Sequence, residues 1–245
     1  MALVVREYVD TAQAVASERL VRRHDLGVSS ATVRHDLAAL EDMGLLTHAH
    51  TSAGRQPTVA GYRYFVEHLM RSAGLAEQEQ RAIRHRFHQA GWDADRWLRL
   101  AAAIMAQTSQ LAGLVEVVHR SDRAVEPQVY QAGLIHMVDV PEFADSDRLR
   151  GVLEILERGL GAAEIMERMP EEDGVHVIIG GEPPLEDVPE ITLVLAHFGS
   201  PRTQAGVLGI VGPTRLRYER AVPTVGYMAR LMTRLLAVRD GALAV

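Results

Sequence analysis

Apolar side chains at helical spacing mark two short helices at the start of the chain, over residues 2–11 and from Ser17, where Leu20 and Val21 face inward. His24-Asp25-Leu26-Gly27 reads as the turn after the second. Val28-Ser29-Ser30-Ala31-Thr32-Val33-Arg34 opens a third helix. Ser29 or Ser30 caps it, because a serine hydroxyl satisfies one of the backbone N–H groups that a first turn leaves unpaired. Val33, Leu37, Leu40 and Met43 then recur every three or four residues and predict a buried stripe. Gly44 ends the helix. Residues 45–50 alternate as a short strand, and Thr51-Ser52-Ala53-Gly54-Arg55 form a tight polar turn. This order of elements reads as a winged helix-turn-helix.

The pattern changes after the wing. Thr58 is placed to cap a helix whose inner face is Tyr62, Phe65, Val66 and Leu69, and Gly74 ends it. Residues 78–89 form a polar helix, Gly91 breaks it, and Asp93 caps another carrying Trp97, Leu98, Ala101, Ile104, Met105 and Leu111. Residues 114–119 alternate as a strand, 121–128 read as a loop, and 130–138 are ambiguous between coil and a short helix. Helices are expected over 146–158 and 162–169, and strands over 175–179, 191–196 and 207–211. Pro183, Pro184 and Pro189 punctuate the connection between the first two of these strands. A final helix over 218–238 sets Val225, Met228, Leu231, Met232 and Leu235 on one side, with Pro223 in its first turns. The predicted class is α+β: a winged helix-turn-helix at 1–72, a helical connector at 73–112, and a mixed helix-and-sheet domain at 113–245.

The third helix carries the candidate chemistry. Ala31, Thr32, Arg34, His35 and Ala38 point away from the apolar stripe. They are small, polar or cationic, which suits a helix entering the DNA major groove. Arg34 is placed to pair with guanine, and Ser30, Thr32 and His35 to meet phosphate or base edges. Arg55, at the end of the wing, is expected on the DNA backbone or in the minor groove. The candidate DNA-binding set is Ser29, Ser30, Ala31, Thr32, Arg34, His35, His50, Thr51, Ser52 and Arg55.

Other polar clusters read as solvated surface. His48 and His50 alternate on one strand and face one side, yet no third metal ligand accompanies them. His85 and His88 lie a helical turn apart among Arg81, Arg84 and Arg86, as on an exposed helix face. Glu171-Glu172-Asp173 precedes Gly174 and a strand, as a solvated turn does. The glycines at 180–181 and at 206, 209 and 212 lack the Lys and Ser/Thr of a phosphate loop. No catalytic residue, metal site or cofactor is called for.

The chain has 245 residues, no cysteine and no lysine; every basic side chain apart from histidine is arginine. The missing cysteines exclude disulfides and thiolate metal sites and suit a cytoplasmic protein. Residues 1–7 include Arg6 and Glu7 and do not read as a signal peptide. The apolar region 98–118 is interrupted by Arg99, Gln107 and Glu116, so it reads as a packed helix and a strand, with no membrane span. The net charge of −6 sits outside the first domain: residues 1–72 balance eight arginines against eight acids. Acids such as Glu41, Asp42 and Glu67 are expected on the side away from DNA. A module this weakly basic predicts modest non-specific affinity and reliance on dimerisation.

Three stretches resemble one family. GVSSATVR at 27–34, followed by LEDMGLL and by HTSAGR with PT and GYR, is similar to the start of HrcA, the heat-inducible repressor family of bacterial chaperone operons. LIHMVDVPEFADSDRLR and GVLGIVGPTRLRY resemble later parts of that family. The resemblance implies a GAF-like domain over 113–245, a homodimer on an inverted-repeat operator of the CIRCE type, double-stranded DNA and the chaperonin GroEL as partners, and no membrane. In that logic heat draws the chaperonin away to unfolded clients, and the operons are released. The chain departs from the family in three places. His35 stands where asparagine is usual, Gln56 stands where an apolar residue is usual, and only residues 120–129 fill the place of further strands and an inserted dimerisation domain. The GAF-like sheet is therefore expected to be reduced. The dimer contact is then expected from the apolar helices at 94–111 and 218–238. Two other readings are a small-ligand-responsive winged-helix regulator and an interaction protein that has lost operator binding.

Overall fold

A computed structural model describes residues 1–48, 54–70, 74–118, 128–138, 140–143, 174–186, 188–199 and 205–241. The chain divides into two compact units. One comprises Met1–Arg71 with Ile179–Pro189 and Thr214–Tyr218; the other comprises Ser72–Ile178, Glu190–Pro213 and Glu219–Val245. The α+β class holds. The helices expected over 146–158 and 162–169, the acidic turn 171–173 and the wing tip with His50, Thr51 and Ser52 lie outside the described residues.

The first unit begins with helices α1 (Ala2–Thr11), α2 (Ser17–His24) and α3 (Ser30–Asp42). Strands β1 (Leu46–His48) and β2 (Arg55–Pro57) pair antiparallel, and α4 (Val59–Tyr64) continues into a wider helical turn, Phe65–Leu69. Val4, Val15, Leu20, Val33, Leu37 and Leu46 form one buried cluster, with Leu40 packed at its margin. Met43 departs from the expected stripe and is 69% exposed. It caps the end of α3, and Gly44 turns into the left-handed region at φ +73°, which carries the chain away before Met43 reaches the core.

Local chemistry accounts for where these helices begin. Ser29, rather than Ser30, caps α3, its hydroxyl accepting the Thr32 N–H at 3.1 Å. Thr58 caps α4 by accepting the Gly61 N–H at 3.1 Å. Gly61 is dictated by packing as well, because a Cβ there would stand 2.1 Å from the Leu45 carbonyl oxygen. Buried Glu7 on α1 is matched by cations from α2, accepting from Arg23 at 2.8 Å with Arg19 and His24 each at 3.8 Å. Removing such a partner would leave a buried carboxylate uncompensated.

The first unit draws on two distant stretches of sequence. Arg63 of α4 donates to Glu182, whose carboxylate also accepts the Ile179 N–H at 3.1 Å. Arg215 donates to the Val9 carbonyl, Arg217 pairs with Asp10, and the Tyr218 ring lies 5.8 Å from Tyr62 and 6.5 Å from Phe65.

The second unit contains α5 (Glu77–Gln89), α6 (Ala94–Ser109), β3 (Ala112–Val118), β4 (Gln128–Ala132), the short helix α7 (Ile135–Val138), β5 (Val175–Ile179), β6 (Ile191–Phe198), β7 (Ala205–Pro213) and α8, which starts at Tyr218 and runs to Arg239. The five strands make one sheet in the order β4-β3-β7-β6-β5. β3 pairs antiparallel with both β4 and β7, and β6 with β7. Part of the segment left ambiguous at 130–138 is thus the edge strand β4, defined by its antiparallel pairing with β3; the short helix follows as α7.

β6 and β7 are buried at nearly every position, so both faces of the central sheet are covered. α6 supplies one cover with Trp97, Leu98, Ala101, Ala102, Ile104 and Met105. It approaches so closely that a Cβ at Gly113 would stand 2.2 Å from the Ala102 carbonyl oxygen. On α8, Val225, Met228, Met232 and Leu236 are wholly buried. Of the apolar stripes expected as spare dimer surface, that of α6 is core of this unit, as are Val225, Met228 and Met232 of α8, whereas Leu231 and Leu235 are only half-buried. Burying each large side chain contributes about 1.5–3 kcal/mol.

Candidate nucleic-acid interface

The candidate recognition surface is the side of α3 opposite its core residues. Val33 and Leu37 are buried, whereas Ala31, Thr32, Arg34 and His35 are exposed. Helical spacing places positions 31, 34, 35 and 38 on a shared face, with Ala38 half-buried at its margin. Among the described residues neither Arg34 nor His35 has a hydrogen-bond or ion-pair partner, so both are open to an outside one. Ser29 already uses its hydroxyl twice, for the Thr32 N–H and the Thr32 hydroxyl at 2.9 Å. It starts the helix, whose exposed N-terminal amides are of the kind that favour an anion. Ser30 is half-buried.

The wing is tied down from three directions. β1 and β2 pair Leu46 with Pro57, Thr47 with Gln56 and His48 with Arg55. Val15 joins from the other side, its N–H bonding the Arg55 carbonyl at 2.8 Å and its carbonyl accepting the Arg55 N–H at 3.0 Å. The Tyr8 hydroxyl reaches the Gln56 side chain at 3.3 Å. Gln56, unusual for an apolar position, thus has a polar partner.

Arg55 differs from expectation. Its side chain is only 11% exposed, and its Nε donates to Glu41 Oε2 at 2.9 Å. The other oxygen of Glu41 meets Nδ1 of His48. Glu41, in the last turn of α3, therefore bridges that helix to both wing strands, and His48 is bound to it rather than simply solvated. Partial burial works against the charge of Glu41, but the hydrogen bonds from Arg55 and His48 outweigh this and hold its carboxyl below the ordinary carboxylate range. In the sequence Glu41 shows no signal of this role, because its partners lie 7 and 14 residues away across a turn.

The exposed α3 face can present one guanidinium and one imidazole to base edges, and a helix N-terminus to phosphate. No helix among the described residues is long and apolar enough to cross a membrane. His85 and His88 are exposed on α5, as expected, with His85 bonded to Gln89.

The family described as "HrcA protein C terminal domain" matches residues 88–222, and the "DeoR-like helix-turn-helix domain" matches residues 5–57. A protein of Chloroflexus aurantiacus named heat-inducible transcription repressor HrcA is 34% identical over 340 residues, covering 96% of this chain and 91% of the relative. Its namesake in Roseiflexus castenholzii is 33% identical over 331 residues, covering 96% and 92%. Both alignments are longer than this chain of 245 residues, so part of each relative has no counterpart here. A crystal structure at 2.2 Å of a hypothetical protein superposes with a TM-score of 0.80 at 18% identity, over 97% of each chain, and so shares the fold.

Proposed function

The chain belongs to the HrcA family of heat-inducible transcription repressors, and from that premise we propose that it represses chaperone operons by binding an inverted-repeat operator of the CIRCE type as a homodimer. The observation that carries this reading is the exposed face of α3, where Arg34 and His35 stand clear of a core built by Val33 and Leu37. Arg34 reads guanine, Thr32 and His35 meet phosphate or base edges, Ala31 lets the helix approach closely, and Ser29 with Ser30 sets the helix N-terminus against a phosphate. His50, Thr51 and Ser52 at the wing tip meet the neighbouring backbone.

One recognition helix reads one half-site, so an inverted repeat calls for two copies related by a two-fold axis. The α6 stripe and Val225, Met228 and Met232 of α8 are internal, so the symmetric contact does not rest on them. GroEL acts as the partner that keeps the cytoplasmic repressor competent, and heat withdraws it. A mobility shift on the chain's own chaperonin promoter, with and without chaperonin, tests both parts. Specific retardation enhanced by chaperonin supports the reading; equal retardation of promoter and scrambled DNA overturns it.

A further inference from the structure

Glu41 stands in the last turn of the recognition helix, and both oxygens of its carboxylate are taken by the wing. Oε2 accepts from Arg55 and Oε1 meets His48. His48 and Arg55 are themselves directly opposite each other, the last described pair before the wing tip. One carboxylate therefore grips both strands where the wing leaves its ladder, and Val15 holds the same point through the backbone.

We propose that Glu41 is a positioning residue for DNA binding: it fixes the direction of the wing relative to the recognition helix, acting through Arg55 and His48, which anchor the wing and do not themselves contact DNA. This rests on the DNA-binding reading above. A ribbon of three residue pairs is too short to hold its direction alone. A wing free to swing would pay the cost of ordering each time it met phosphate.

The opposite role for Arg55, a direct phosphate contact, makes a prediction of opposite sign. If Arg55 touched DNA, Glu41→Ala would free its guanidinium and delete a negative charge, so binding would tighten. As a clamp, Glu41→Ala instead weakens binding to operator and to scrambled DNA alike, by about tenfold, the loss of one charged hydrogen bond. Arg55→Ala gives a loss of the same size with an unchanged salt slope, where a lost phosphate contact would flatten the slope by about one unit. The double variant is no weaker than Glu41→Ala alone, because that change already removes the Arg55 contact. Glu41→Gln, which keeps an acceptor and the shape of the side chain, loses less than Glu41→Ala and guards against misfolding.

A second measurement needs no DNA. Amide hydrogen exchange on the free full-length chain is expected to quicken over residues 46–57 in Glu41→Ala, with residues 33–40 of α3 unchanged. If the wild-type chain fails to bind its operator, the functional reading falls and the exchange data alone decide the clamp. Tighter DNA binding by Glu41→Ala, additive losses in the double variant, or unaltered exchange across the wing overturns the proposal.

Discussion

Arg63 and Glu182 lie 119 residues apart and form a two-armed ion pair, with Arg63 Nε 2.9 Å from Glu182 Oε1 and Nη2 on the other oxygen. The hydrogen bonds from this carboxylate make the Arg63 proton still harder to remove. Both side chains are more than half sheltered, at 30% and 23% exposed, and the geometry is the planar fork that suits guanidinium and carboxylate.

Breaking this pair is expected to destabilise the first unit by more than an ordinary surface ion pair does. Glu182→Ala should cost about 1.5–3 kcal/mol, since the carboxylate also accepts the Ile179 N–H. Urea midpoints of Glu182→Ala, Arg63→Ala and the double variant check it. The double variant should lose less than the sum of the single ones.

Arg34→Ala should weaken operator binding by about 1–3 kcal/mol and scrambled DNA much less, because a bidentate contact to a base edge is lost. Titrations on both DNAs at one salt concentration measure the difference. An equal loss on the two would make Arg34 a phosphate contact.

The two serines before α3 should behave differently. Ser29→Ala removes the cap on the Thr32 N–H and is expected to cost about 0.5–2 kcal/mol of stability. Ser30→Ala, already inside the helix, should cost little or nothing. Thermal melts of the two variants compare them directly.

Acid should remove what Glu41 contributes. Its folded carboxyl titrates below the ordinary value of 4.5, so its pairing stabilises the protein fully above that value and is lost as pH falls through the lowered one. The Tm gap between wild type and Glu41→Gln should therefore be open at neutral pH and closed in strong acid. A gap independent of pH would mean that the charge of Glu41 plays no part.

Light scattering at micromolar concentration should give twice the chain mass of 27.0 kDa. A monomer both alone and on operator DNA would remove the two-fold reading of an inverted repeat.

Among the described residues local signals placed the helices well, because their causes span three or four residues. Ser29, Thr58 and Asp93 each cap the helix expected from them, and Gly44 and Gly91 turn left-handed where helices end. The recognition face could be read for the same reason: once Val33 and Leu37 are assigned inward, helical geometry sends Arg34 and His35 outward. The strand β4 was not legible, since an edge strand is defined by its pairing with a neighbour, here β3, and that pairing is not written in its own residues.

Charged residues divided along the same line. The sequence by itself determined a winged helix-turn-helix, the exposed face of its third helix and its family, all written in short-range patterns and in an ordered string of residues. Only the tertiary structure decided what each charge does. Glu41 and Arg55 are 14 residues apart, Glu7 and Arg23 are 16 apart, and Arg63 and Glu182 are 119 apart. An ion pair depends on distances of a few ångströms between side-chain tips, and those distances exist only after the chain has folded. For that reason Arg55, which the sequence offers as a wing cation for DNA, is in the folded protein held by a carboxylate of the recognition helix.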